Sequence, residues 1–216
     1  MAIIEIKSLS QVLQHLKRDS LLLVDIDDTL IRATGPKYEC PNHLFRRRME
    51  GFPARYTKDG KFKSYFNQNY LNIVKEYNQA VLDANWTDIE FSSSHFNKWK
   101  DRCTVIGLTA RGKELAKVTE QILANNHILF PKHELFVFDY KAESLANGRT
   151  GLSHTRNILY CGGHDKGETL FNYLAFSFAH TTEIVMVDDS LTGLKQVERE
   201  FEPFGVEFIG LHYVPA

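Results

Sequence analysis

Four consecutive apolar residues, Leu21 to Val24, run directly into Asp25-Ile26-Asp27-Asp28-Thr29. An apolar run this short and unbroken fits a strand buried on both faces of a parallel sheet. Such a strand delivers the residues after it to the sheet's carboxyl edge, where open α/β folds bind ligands. Asp25 and Asp27 are two residues apart. They share a face if the extended geometry persists, and can still converge on one point if a loop begins there. Two carboxylates at one point repel, and a fold keeps them together with a cation or a shared proton. The spacing points to a magnesium site with one carboxylate left for chemistry. The competing reading is an acidic strand-to-helix loop in which Asp28 or Thr29 caps a helix.

The rest of the chain extends the first pattern. Thr104 to Leu108 reads as a second buried strand, Leu135 to Tyr140 as a third, Ile184 to Val187 as a fourth, and Val206 to Tyr213 as the last. Between them lie helical spacings: Phe66 to Val81, Leu115 to Leu123, a helix opening at Lys166 and carrying Leu170, Tyr173, Leu174 and Phe178, and Leu191 to Phe201. Ser8-Leu9-Ser10-Gln11 has the form of a capping box. This alternation predicts an α/β fold with a doubly wound parallel sheet and helices on both faces. The expected organisation is a single domain over 1–216, with a small flap insertion at about 33–63 and a β-hairpin excursion at about 141–160. The flap is loop-rich, with a short helix around Leu44 to Met49. The hairpin is signalled by Asn147-Gly148, a strong type I′ turn pair, and by Asn157 to Tyr160 as the second arm.

Charge and cysteines narrow the class. A net charge of −1 gives no global field that would steer the chain to nucleic acid or to a membrane. Cys40, Cys103 and Cys161 are widely separated and form no CxxC pair, which reads as reduced thiols in a reducing, cytoplasmic compartment. No stretch reaches the roughly 18 apolar residues that span a bilayer. The first residues, Met1 to Lys7, lack the apolar region of a signal peptide.

Three of the expected strands end in residues with chemical capacity: Asp25-Ile26-Asp27, Thr109-Ala110-Arg111, and Asp188-Asp189-Ser190. Lys166 opens the helix before the last of these. In a parallel sheet all these ends lie on one edge, so the groups converge. Hard oxygen ligands, an ammonium and a hydroxyl make a phosphoryl-transfer kit. Each group also has a plainer role. Thr109 and Asp188-Asp189 can be helix caps, Lys166 a solvated helix start (although a cation there opposes the helix dipole), and His164 and Asp165 loop polar residues. Four such coincidences in this order favour the site.

The same four stretches, LLLVDIDDTL, IGLTAR, HDKGETL and IVMVDDS, resemble the four motifs of the haloacid dehalogenase (HAD) superfamily in its phosphatase branch. The resemblance runs from about Leu21 to Val214. It implies a HAD-type Rossmannoid fold with a small or absent cap, and a Mg²⁺-dependent phosphatase that works through an aspartyl-phosphate. Asp25 would be the nucleophile and Asp27 the general acid and base. Thr109 and Lys166 would hold the phosphoryl oxygens. The metal would bind the Asp25 carboxylate, the Asp27 carbonyl, Asp188 and Asp189. An acid at position 27, which dehalogenases of the superfamily lack, argues for phosphate over halide. The segment from Asn147 to Leu174 further resembles an uncharacterised HAD family of bacteria that include intracellular pathogens. This raises delivery into a host cytosol, as a bacterial effector, as an alternative location.

The gap between Thr109 and Lys166 already holds a helix, a strand and a hairpin, which leaves no room for a large cap there. An open site suits a large phosphomonoester such as a phosphoprotein, phosphotyrosine above all, with Arg111 and His164 near the pocket mouth to read it. The alternatives are a small-metabolite phosphatase and a phospho-ligand binding module without turnover. A receiver-type signalling domain is disfavoured because its acidic pair precedes the phosphoacceptor, the reverse of the order here.

Overall fold

The apolar runs form the middle of one sheet. The structure is a computed structural model that describes residues 2–34, 41, 48, 68–131, 153–155, 157–177 and 181–215. Its strands, in chain order, are β1 (Ala2–Ile6), β2 (Leu21–Val24), β3 (Ile31–Thr34), β4 (Asn85–Asp88), β5 (Thr104–Thr109), β6 (Ser153–Thr155), β7 (Ile158–Tyr160), β8 (Glu183–Asp188) and β9 (Glu207–Tyr213). The helices are α1 (Gln68–Asp83), α2 (Ser92–Lys100), α3 (Ala116–Asn125), α4 (Lys166–Ser177) and α5 (Leu191–Phe201).

The main sheet has the order β1-β9-β8-β2-β5-β7-β6. Every neighbouring pair in it is parallel except β6–β7 at one edge. The expected α/β, doubly wound class is therefore the observed one. β2 lies between β8 and β5, with Val24 level with Val187 on one side and Gly107 on the other. The chain leaves this central strand toward neighbours on both sides, which is the arrangement that opens a ligand crevice at the strand ends.

Burial explains the register. Every residue of β2 and β8 is buried. Leu21, Leu23, Ile106, Leu108, Ile184 and Met186 join Leu170 and Leu174 of α4 and Leu194, Val197 and Phe201 of α5 in one core cluster. Each large aliphatic so covered contributes about 1.5–3 kcal/mol. A one-residue slip of β2 would exchange the faces of all its side chains at once. Phe96 and Trp99 of α2, three apart on one helix face, are also wholly buried. Ser8 forms its capping box with Gln11 at the start of a 3₁₀ turn, Leu9–His15.

By internal contacts the chain divides into two units. One comprises Met1–Ile31, Asp88–Lys141 and Leu152–Ala216; the other comprises Arg32–Thr87 and Ala142–Gly151. The first holds the main sheet. Of the second, the described residues supply α1 and most of the two-stranded sheet β3–β4. The stretch 33–63, expected as an insertion, falls within the longer unit Arg32–Thr87, which also includes α1.

A second difference concerns Asn157 to Tyr160, expected as the arm of an excursion. β7 does pair antiparallel with β6, but its other edge pairs parallel with β5, from Gly107↔Ile158 to Thr109↔Tyr160. It is a strand of the main sheet. The Asn147-Gly148 turn, the strand expected at 135–140 and the short helix at 44–49 lie outside the described residues, apart from Arg48, which is helical.

Candidate active site

Three adjacent strands of the main sheet deliver the chemical groups. The backbone N–H of Asp25 still donates to Val187 O at 3.0 Å, so Asp25 lies where the ladder of β2 and β8 ends. Beyond it the chain turns sharply: Leu30 N and Ile31 N both donate to Ile26 O at 3.0 Å. Asp28 takes φ 61° within this turn, the left-handed region that aspartate tolerates better than most residues. Ile26, Leu30 and Ile31 are buried beneath the turn and fix it. Thr29 does not simply cap a helix. Its hydroxyl donates to Asp25 Oδ2 at 3.3 Å and accepts from the Asp189 N–H at 3.2 Å, linking the ends of β2 and β8.

After β8, Asp188 Oδ1 accepts from the Ser190 N–H at 2.7 Å, and Ser190 caps α5. The side chains of Asp25, Asp188 and Asp189 each offer an oxygen within 4.8 Å of the others. His212 of β9 meets the Asp189 carbonyl at 3.1 Å.

Lys166 arrives from the other side of the sheet. The loop after β7 is laced to the loop after β5: Cys161 N to Thr109 O, Gly162 N to Arg111 O and Gly163 N to Ala110 O, all at 2.9 Å. Gly162 and Gly163 have φ of 57° and 74°, which a side chain would strain. Asp165 then caps α4 by accepting from Glu168 N at 3.1 Å, and Arg199 of α5 holds its other oxygen at 2.8 Å. This sets Lys166 as the first helical residue, with its ammonium 2.7 Å from both Asp25 Oδ1 and Asp188 Oδ2.

The remaining pair is Asp27 with Arg111. The guanidinium donates through Nε to Asp27 Oδ2 at 2.9 Å and through Nη2 to Asp27 Oδ1 at 2.7 Å, while Nη1 donates to Thr119 Oγ1 of α3 at 3.0 Å. Arg111 is 0% exposed. The expectation that Arg111 reads substrate at a pocket mouth is therefore corrected: its charge is satisfied inside the protein, by an acid of the site itself. Thr109 is also wholly buried, and its hydroxyl accepts from the Arg111 N–H at 3.2 Å, leaving its own hydrogen to donate. His164 is half-buried in the loop before Lys166, its N–H bonded to Cys161 O at 2.9 Å. Thr119 is the member of the arrangement that sequence reasoning passed over, and Thr29 one that it weighed only as a helix cap. The signal for Thr119 is a hydroxyl at a helical spacing otherwise filled by Leu115, Ile122 and Leu123, a buried face where a hydroxyl needs a partner.

Among the described residues, Arg111 pairs with Asp27, and the Lys166 ammonium sits between Asp25 and Asp188, with Asp189 close to both acids. Burial pushes the proton affinity of Asp25 well up; Lys166 opposes this, and Asp188, Asp189 and Asp27 add to it. Lys166 is held firmly charged: burial works against its charge, but Asp188 and Asp25 outweigh burial. Three carboxylate oxygens within 4.8 Å of one another suit a divalent cation, since hard oxygen donors are what magnesium takes. The residues fit the ion.

The chain belongs to the family described as "Protein of unknown function (DUF2608)", whose model matches residues 3–216. No curated protein matches it. Among solved structures it is similar to the HAD domain of effector protein Lem4 from Legionella pneumophila, at 14% identity and a TM-score of 0.41, covering 91% of this chain and 86% of that one. An inactive mutant of the same domain matches at 13% identity and a TM-score of 0.42, covering 92% of this chain and 87% of that one. The sheet order is that of a doubly wound α/β fold, with acids closing β2 and β8.

Proposed function

From a HAD-like member of that family with this cluster at its strand ends, we propose a magnesium-dependent phosphatase that works through an aspartyl-phosphate on Asp25. The observation that carries the reading is the meeting of Asp25, Asp188 and Asp189 with Lys166. A carboxylate oxygen of Asp25 attacks phosphorus, the bond to the leaving oxygen breaks, and Asp27 supplies that oxygen's proton. Water then attacks the same phosphorus and gives its proton to Asp27, and the bond to Asp25 breaks, releasing inorganic phosphate. Lys166 has three N–H donors, two of them on Asp25 and Asp188; the third goes to a phosphoryl oxygen, as does the Thr109 hydroxyl. Asp25, Asp188, Asp189 and the Asp27 carbonyl would hold magnesium, which would offset the phosphate charge.

The substrate is a phosphorylated group with a good leaving oxygen, phosphotyrosine in a protein above all. Both oxygens of Asp27 accept hydrogen bonds from Arg111, which fixes the direction and plane of the carboxylate. Aryl phosphates need a donated proton least in the first step. His164, two residues before Lys166 in the chain, is the residue we assign to reading the substrate. The free thiols of Cys103 and Cys161, whose ionisation burial pushes up to about 11 and about 12, support a reducing compartment, bacterial or host cytosol. Among the described residues no helix is long and apolar enough to cross a membrane.

Phosphate release from a panel of aryl phosphates, phosphotyrosine peptides, sugar phosphates and nucleotides, with and without magnesium, tests the reading. We expect magnesium-dependent release, fastest for the aryl esters, and none from Asp25→Asn. Uncatalysed monoester hydrolysis is so slow that accelerations reach about 10²¹-fold, so losing the nucleophile removes measurable turnover. Silence across the panel, or an active Asp25→Asn, overturns it. Preference for sugar phosphates would place the chain among small-metabolite enzymes.

A further inference from the structure

We propose that Arg111 is the positioning residue of this site, acting on the reaction through Asp27 and not through substrate; this rests on the proposed phosphatase activity. An arginine at the end of a central strand, two residues past a phosphoryl-binding Thr109, is placed where it could meet an anionic ligand. Instead the guanidinium is fully buried and spent on the protein: two N–H groups on the two oxygens of Asp27, a third on Thr119. A charge so deep is retained only with a partner that answers it.

The form of the contact says what it is for. A single hydrogen bond would leave a carboxylate free to rotate about its last torsion. Two parallel bonds from a rigid planar fork fix both its direction and its plane. Thr119 holds the far side of the guanidinium, so the fork itself is anchored to α3. The same residue acts through its backbone as well. The Arg111 N–H bonds to Thr109 Oγ1 at 3.2 Å, and its carbonyl accepts from Gly162 N at 2.9 Å, joining the loops after β5 and β7. The acid–base group and a phosphoryl-holding hydroxyl are thus both referenced to one residue. A lysine at 111 would keep the charge and lose the fork.

A positioning role and a merely structural ion pair differ in how substitutions combine. If Arg111 works through Asp27, its loss should do nothing more once Asp27 has no function left to position. If it contacts substrate or only holds the fold, the two losses should multiply. The experiment measures kcat and KM on an aryl and an alkyl phosphate for wild type, Arg111→Lys, Thr119→Val, Asp27→Asn, and each of the first two variants combined with Asp27→Asn. Thermal unfolding with magnesium present checks each protein, and Thr119→Val, which removes one hydroxyl and leaves the ion pair, serves if Arg111→Lys does not fold.

We expect Arg111→Lys to lower kcat about tenfold or more with little change in KM, as a slight misplacement of a reacting group does. The alkyl ester should be hurt more than the aryl ester. Thr119→Val should give a smaller loss of the same kind. In the Asp27→Asn background both should lie within about twofold of Asp27→Asn alone. Multiplicative losses, or a KM effect that dominates kcat, overturn the positioning role while leaving the phosphatase intact. A wild-type protein that releases no phosphate, or an active Asp25→Asn, removes the phosphatase reading and the proposal with it.

Discussion

At Gly193, in the first turn of α5, an added Cβ would lie 2.4 Å from Asp188 Oδ2 and 3.3 Å from Lys166 Cδ. Replacing a helical glycine by alanine ordinarily stabilises by up to about 1 kcal/mol. Here the new methyl group would displace the carboxylate that Lys166 holds and that we assign to the metal. We predict that Gly193→Ala raises the magnesium concentration needed for half-maximal thermal protection by about tenfold or more, the scale on which groups supporting a metal ligand act. A lower or unchanged requirement would show that Asp188 is not where the ion binds. At this scale most of the site was legible: Asp25, Thr109, Lys166, Asp188 and Asp189 all end or begin an element whose apolar run places them. Arg111 was legible in position and not in role. A strand-end arginine can turn inward or outward, and the deciding partner, Asp27, is 84 residues away in the chain.

Elements with unbroken apolar cores could be read closely, β2 and α5 among them, because burial on both faces or along one stripe leaves a plain pattern. Those missed lack one. β1 is an edge strand with mostly exposed or half-exposed residues, β4 is the polar run Asn-Trp-Thr-Asp, and α2 opens on three serines and buries Ser92, Phe96 and Trp99. β7 has only three residues, and its place beside β5 depends on pairing that no local pattern shows. At the amino ends of β2, β8 and β9, away from the site, Glu183 accepts from Ser20 and from Lys17, and Lys17 also reaches Glu207 at 3.1 Å. Burial works against the charged form of Glu183, but Lys17 and Ser20 outweigh it and hold the group below its ordinary value of 4.5. A carboxyl lowered in the fold adds stability above its unfolded value and loses it as pH falls through the folded one. Glu183→Gln should therefore melt a few degrees below wild type at about pH 7, and the gap should close toward about pH 3. A gap that widens in acid would contradict this linkage.

On the scale of the whole molecule, every group of the site belongs to the unit built on the main sheet, while Arg32–Thr87 clusters apart from it. The meeting of the candidate site residues was legible because they stand in short motifs at strand ends. The extent of the insertion was not, because an amphipathic helix such as α1 shows an apolar stripe without showing which surface covers it. The proposed mechanism turns on a covalent step in which phosphate passes through Asp25. That step can be trapped by rapid acid quench of wild-type protein during turnover of an aryl phosphate, followed by mass spectrometry of its peptides. The prediction is a single phosphoryl group on Asp25, present at higher occupancy in Asp27→Asn, where the second step is impaired, and missing from Asp25→Asn. Turnover without phosphorylated Asp25, or phosphate carried on another residue, would contradict it.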